Sequence, residues 1–397
     1  MVLRYRWLVL ALAWCAYIMS LFHRMAFVPL IPVLIDELNM TYTLSGFIMG
    51  VAFIPYAILQ IPAGYAADKW SPRKLIFASL LALSIAVLFF TSIRNSTDAL
   101  VTRILIGVVA AFCYIPAMKL LVEWFPENER GTAIGFYGTA AGGAPTLALI
   151  TVPPLTVLFG WRLGLIITAI PTVLIAVLCF LLLRDSNENE LSRKKVVGVK
   201  LSGEKFTEAA LSSANLWLFV LVSFSAGLAF QGLASWIPEY LVKEFNFSVV
   251  EAGGMGAVNS VGFIVGAPII GRLSDKSRRR KIIVIAGLLV STLCLFSLSI
   301  VRNLILVSIM FLFIGFVQGA TGITITTMAS KLFPADIIGK AVGFINTAAM
   351  LTIATAPMIT GYVLEHTGSF QWLFTILGLL QVAGVIVAVF IREKVNA

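Results

Sequence analysis

The chain has 397 residues, of which 59% are hydrophobic and 12% charged, where an ordinary soluble domain is about a quarter charged. That composition excludes a water-soluble globule of this size. The formal net charge of +10 would suggest nucleic acid in a soluble protein, so it has to be read from where the bases fall.

A hydrocarbon layer about 30 Å thick takes roughly 20 apolar residues per helix, so the length suits about twelve crossings with loops between them. In chain order, apolar runs predict spans at 7–35, 44–66, 74–93, 98–122, 131–158 and 162–183, then 214–242, 249–271, 281–301, 303–330, 338–364 and 370–391. The first run follows Arg4 and Arg6 as a signal peptide would, but it is too long for an h-region and shows no clear cleavage site, so it reads as a retained helix. The segment 184–213 alternates bases with acids and reads as a linker, dividing the chain into a helical bundle at 1–183, the linker, and a second bundle at 214–397. Cys15, Cys113, Cys179 and Cys294 all lie in apolar runs without metal-ligand spacing. They read as packing residues, and no metal or cofactor is expected.

With the N-terminus placed in the cytoplasm, only Arg94, Arg162, Lys243 and Arg302 fall on the outer side, and only Arg24, Arg103 and Lys119 lie deeper than the outermost three residues of a span. The remaining bases are cytoplasmic, which predicts a multi-pass protein of the cytoplasmic membrane with both termini on its cytoplasmic side. The halves also repeat at an offset of about 207 residues: GYAADKWSPRK (64–74) faces GRLSDKSRRRK (271–281), Phe125-Pro126 faces Phe333-Pro334, and Gly131 and Gly135 face Gly339 and Gly343. Parallel repeats related by an axis along the membrane normal are expected, with any transport path at their interface.

The paired loops carry Gly64, Asp68 and Arg73 in one half and Gly271, Asp275 and Arg280 in the other. The glycine would let helix ends approach, and the acid would accept hydrogen bonds at a helix N-terminus and pair with arginine or lysine. This pattern resembles the loop signature of the major facilitator superfamily, although the spacing to the last bases is one residue longer than usual. Arg103 and Gly107, in TRILIG, match its fourth-helix pattern. Within the superfamily, Arg24 followed by Pro29 and Pro32, QIPAGYAADK, WFPENERG and SWIPEYL are similar to the organic-anion carriers of the anion:cation symporter type. The resemblance implies an all-α polytopic membrane protein with two pseudo-symmetric six-helix bundles, moving a small organic anion (a mono- or dicarboxylate or a sugar acid) by alternating access. A monomer in the bilayer is expected, with no nucleic-acid partner and no enzymatic activity.

Charges inside the spans carry the sharpest signal, because each costs roughly 2.5 to 3.5 kcal/mol at a helix centre on insertion scales. Arg24 stands far from both ends of its span, with no Asp or Glu at mid-depth elsewhere. A planar guanidinium can hold a carboxylate through two parallel bonds, so Arg24 is either an anion clamp or a gating and packing group. Arg103 suits snorkelling or structure by position; the resemblance implies a part in carboxylate recognition or gating. Gly107, Ala110 and Tyr114 continue its helical face. Lys119 lies off that face and reads as a base reaching the cytoplasmic surface or pairing with Glu123. The proton-coupled relatives place acids where this chain has His23 and Ala110. His23 is a coupling candidate, or a neutral packed histidine, so protons, a counter-anion, or neither could drive transport. Further cavity candidates are Gln60, Gln231, Trp236, Asn259, Gln318 and Asn346, with Tyr56 and Tyr137; about half should be ordinary interhelical bonds. The rival reading is a multidrug exporter, whose Gly-Pro motif in the fifth helix is broken here by Ala144 before Pro145.

Overall fold

The computed structural model describes residues 2–185, 213–276, 280–333 and 338–391, and all regular structure among them is helical. The chain divides into two compact units: Met1–Val196 with Leu241–Gly254, and Val197–Tyr240 with Met255–Ala397. The first contains α1 (Val2–Met25), a 3-10 turn (Val28–Leu30), α2 (Ile31–Glu37), α3 (Tyr42–Val51), α4 (Phe53–Ile58), α5 (Gln60–Lys69), α6 (Pro72–Thr91), α7 (Ser96–Trp124), α8 (Glu127–Gly138) and α9 (Ala140–Leu182). There follow α10 (Ala214–Phe245), α11 (Val249–Lys276), α12 (Arg280–Leu298), α13 (Leu304–Leu332), α14 (Ile338–Thr367) and α15 (Phe370–Val389).

Nine helices among the described residues are long and apolar enough to cross a membrane, or ten if one pair bent by 42° counts as a span. The difference from twelve apolar runs has identifiable sources. The fifth and sixth runs form one stretch, Glu127–Leu182, of 56 residues. At 1.5 Å per residue a straight helix of that length would reach about 84 Å, far beyond one hydrocarbon layer. Gly160 breaks it, with a φ of 76° that a side chain would oppose. The tenth run is apolar helix by length and composition only over Leu304–Gly319. Large apolar side chains face outward, with Ile61 84% and Ile300 81% exposed, as a hydrocarbon solvent requires and water would penalise.

The first two spans are not continuous helices. After α1 the chain turns at Ala26 and Phe27 before Pro29 and Pro32 restart it, so Arg24 sits in the last turn of α1. A mid-span residue in the sequence is thus a helix-end residue in space, where free carbonyls favour a cation. The second span breaks at Ala52 and again at Leu59. Pro55 and Pro62 follow the two breaks, and each lacks the N–H that a continuous ladder would use.

Close packing confirms the internal repeat independently of the loops. A Cβ at Gly107 would collide with the carbonyl oxygen of Ala52, and a Cβ at Gly315, one repeat later, with that of Asn259. In the second unit Gly262 and Gly266 of α11 interlock with Gly315 and Gly319 of α13, each glycine admitting the opposite backbone. At Gly64, by contrast, a Cβ would meet only the Ile115 side chain at 3.8 Å. The expectation that this loop glycine permits close approach is corrected: the tight crossing lies at Gly107. Gly107→Ala is therefore expected to push α7 off the α3–α4 break and to lower stability by about 1–3 kcal/mol, read as a fall in melting temperature in detergent, whereas Gly64→Ala should leave that temperature nearly unchanged.

Candidate functional site

Arg24 is 2% exposed. Its Nε donates to the Ser20 carbonyl one turn back at 3.3 Å, while Nη2 is buried without a hydrogen-bond partner. The guanidinium lies over the Tyr56 ring with Cζ 3.8 Å from its centroid, and 5.5 Å from that of Phe53. None of the ion pairs among the described residues includes Arg24. A stacked ring offsets part of the cost of burying the cation, but it leaves the N–H edge free to grip a planar anion.

Tyrosines continue the site along the bundle. Tyr17 stands seven residues before Arg24 and so on the same face of α1. It packs on Tyr114 of α7 with centroids 4.8 Å apart and on Tyr137 of α8 at 5.0 Å; Tyr114 and Tyr137 are 5.6 Å apart. Tyr137 donates its hydroxyl to the Tyr114 carbonyl at 3.2 Å. Ala110 and Ala111 leave the room against which Tyr56 packs. Gln60, one turn beyond Tyr56, has a half-buried amide whose oxygen and nitrogen both lack partners. Tyr17 is the residue that the sequence reading missed, and its spacing of seven from Arg24 was the available signal.

Arg103 is equally buried but fully engaged. Nε donates to the Ile48 carbonyl at 3.2 Å, Nη2 to Met49 at 3.0 Å and Nη1 to His23 at 3.5 Å, with the Phe27 ring 5.1 Å away. Ile48 and Met49 lie in the last turn of α3, where the break at Ala52 deprives carbonyls of the next turn's donors. Arg103 caps that end while Gly107, one turn on, seats against Ala52. The arginine-to-glycine spacing therefore clamps α7 to a broken helix.

His23 pairs through Nε2 with Thr172 Oγ1 at 2.8 Å. That hydroxyl donates to the Thr168 carbonyl at 3.2 Å, so the imidazole Nε2–H is the donor and Nδ1 carries the lone pair. Nδ1 is buried without a partner. His23 borders a cavity of about 10 Å³ lined by residues including Phe27, Leu30, Arg103 and Leu165, room for about one water and not for an organic acid.

The loop acid pairs with a base as expected, but it does not hold the start of the next helix. Lys119 Nζ lies 2.9 Å from Asp68 Oδ1 and donates to the Ala67 carbonyl at 2.6 Å, so the end of α5 supplies its partners. The N-terminus of α6 is held by Asp185, beyond α9, rather than by Asp68. Asp185 accepts from the Ser71 hydroxyl and from the Arg73 N–H, the latter at 3.2 Å. The last turn of α9 collects donors from three helices: Tyr5 Oη to Leu182 at 2.6 Å, Arg73 Nη1 to Leu183 at 3.4 Å and Trp124 Nε1 to Arg184 at 3.0 Å. One repeat later Lys281 donates to Val389 at 2.5 Å, so a loop base caps the last helix in both halves. Gly271 lies within α11, the Asp275 side chain lies outside the described residues, and Arg280 is buried.

In the second unit, Trp236 is 1% exposed and donates Nε1 to Thr360 Oγ1 at 2.8 Å. Asn259 donates Nδ2 to the Phe311 carbonyl at 2.9 Å inside the α11–α13 crossing. These two polar groups bond helix to helix. Gln231 and Gln318 are half-buried and Asn346 is exposed. Glu239 is completely buried within α10.

The sequence matches the Major Facilitator Superfamily over residues 13–357 and again over 260–397. The chain belongs to that superfamily and is a multi-pass membrane transporter. It is 24% identical over 388 residues to the probable sulfoacetate transporter of Cupriavidus necator, covering 91% of this chain and 88% of that one. It is also 24% identical over 389 residues to the hexuronate transporter of Bacillus subtilis, covering 92% and 90%. Among solved structures, a bacterial homologue of the human lysosomal transporter Spinster superposes with a TM-score of 0.78 at 19% identity, over 98% of this chain and 95% of that one. That likeness shows the fold.

Proposed function

We propose that this chain carries a small organic anion across the cytoplasmic membrane by alternating access, with Arg24 as its anion ligand. The observation that carries this reading is the buried guanidinium of Arg24, stacked on Tyr56, with a free N–H edge and no carboxylate partner among the described residues. Relatives named as carriers of sulfoacetate and of hexuronate support the substrate class. A buried cation without a carboxylate partner among the described residues also disfavours the cationic drugs of an exporter. In this reading the bundles at 1–183 and 214–397 each supply six crossings, both termini are cytoplasmic, the monomer is the working unit and no covalent chemistry is performed. Tyr17, Tyr56, Tyr114 and Gln60 line the site beside Arg24. Arg103 and His23 support it from behind, the first by capping α3 and the second by holding α9. Gln231, Gln318 and Asn346 are the second unit's candidates. A neutral, hydrogen-bonded His23 favours counter-anion exchange or uniport over proton coupling.

The test is uptake into proteoliposomes loaded with or without anions. A panel of organic acids should include at least one that is accumulated and competes with the others. Transport of cationic dyes with no acid transported would replace this reading with the exporter.

A further inference from the structure

Resting on that reading, we infer that the substrate carries a single negative charge, with an uncharged remainder that lies against tyrosine. The argument is a census of charge. By sequence only three bases, Arg24, Arg103 and Lys119, lie deeper than the outermost three residues of a span. Arg103 spends its three nitrogens on the carbonyls of Ile48, Met49 and His23. Lys119 is neutralised by Asp68, a carboxylate 75% exposed at the end of α5. His23 donates through Nε2 to Thr172 and offers only the lone pair of Nδ1, which repels an anion. Of these three, and among the described residues, the guanidinium of Arg24 is the one left with open hydrogen-bonding capacity.

A low-dielectric site balances charge by count as well as by shape. One carboxylate or sulfonate meets Arg24 and the pair is neutral; a second anionic group at the other end of the same molecule would be desolvated with no cation to receive it. What surrounds Arg24 instead is aromatic: Tyr56 against the guanidinium, then Tyr17, Tyr114 and Tyr137 packed on one another. Among the described residues the hydroxyls of Tyr17, Tyr56 and Tyr114 make no hydrogen bond within the protein, and the Gln60 amide is likewise unsatisfied. Ring faces suit a ring or a hydroxylated chain and repel a second carboxylate, and the hydroxyls, though they can donate to it, bring no positive charge to balance it. The substrates named for the relatives do not decide the matter, since a hexuronate has one acidic group and sulfoacetate has two.

The experiment compares molecules of one skeleton that differ in charge. Purified full-length protein in proteoliposomes is tested for competition by galacturonate against galactarate, and by benzoate against phthalate, at a pH where every acid is ionised. The monoanion of whichever pair binds is expected to be preferred by at least about 30-fold, which is about 2 kcal/mol. A dianion that competes within threefold of its matched monoanion overturns the inference and leaves organic-anion transport standing. If no acid binds and Arg24→Ala changes nothing, the reading beneath it fails instead.

Discussion

Arg24→Ala is expected to lower affinity for a transported acid by about a hundredfold or more, close to 3 kcal/mol, the range for truncating one partner of a buried, hydrogen-bonded charge pair. The same substitution is expected to raise the melting temperature of the substrate-free protein. An isolated guanidinium, 2% exposed with an unsatisfied nitrogen, costs more desolvation than stacking on Tyr56 returns. Arg24→Lys keeps the charge and loses both the planar fork and the stacking geometry, so it should recover only part of the affinity. Direct binding measured beside thermal unfolding separates the effects, because a merely structural arginine would lose stability together with binding. A fall in both would reassign Arg24 to packing.

Arg103→Ala should behave in the opposite way. It removes three charge-assisted bonds at once and strands the Ile48 and Met49 carbonyls at a buried helix end. Bonds to charged groups contribute about 1.5–3 kcal/mol each, so a loss on the order of 3 kcal/mol or more is expected. The readout is a strong fall in melting temperature and in folded yield, with the affinity of the surviving folded fraction changed by less than about threefold. Arg103→Lys should recover little, since one ammonium cannot reach three carbonyls on two elements. Should Arg103→Lys instead fold normally and lose substrate, the arginine would belong to the binding site.

The contrast between these two arginines shows how much of the site the sequence carried. Both stand as single bases in apolar runs, and insertion cost marks both as exceptional. Their roles diverge because of backbone breaks that the apolar pattern barely records. The interruption at Ala26 turns Arg24 into a helix-end residue facing Tyr56, while the interruption at Ala52 creates the orphan carbonyls that occupy Arg103. Pro29, Pro32 and Pro55 signalled that bending was available, yet a proline does not say which carbonyl it frees or which side chain arrives to cap it. Lys119 gives the same lesson on a smaller scale: its partner is Asp68 on another helix, and a survey of its own helix offers only Glu123. Asp185, read simply as part of a charged linker, proves to be the acid that holds the start of α6.

By itself the sequence determined what the bilayer and the repeat impose: helical crossings long enough for the hydrocarbon, bases gathered on one side, and paired glycine-acid-base loops about 207 residues apart. Those properties are local or periodic, set by transfer free energy and by spacing along one chain. Only the tertiary structure decided which buried cation is free and which is consumed, because a guanidinium's availability depends on the carbonyls, rings and carboxylates that other helices bring within about 3 to 4 Å of it.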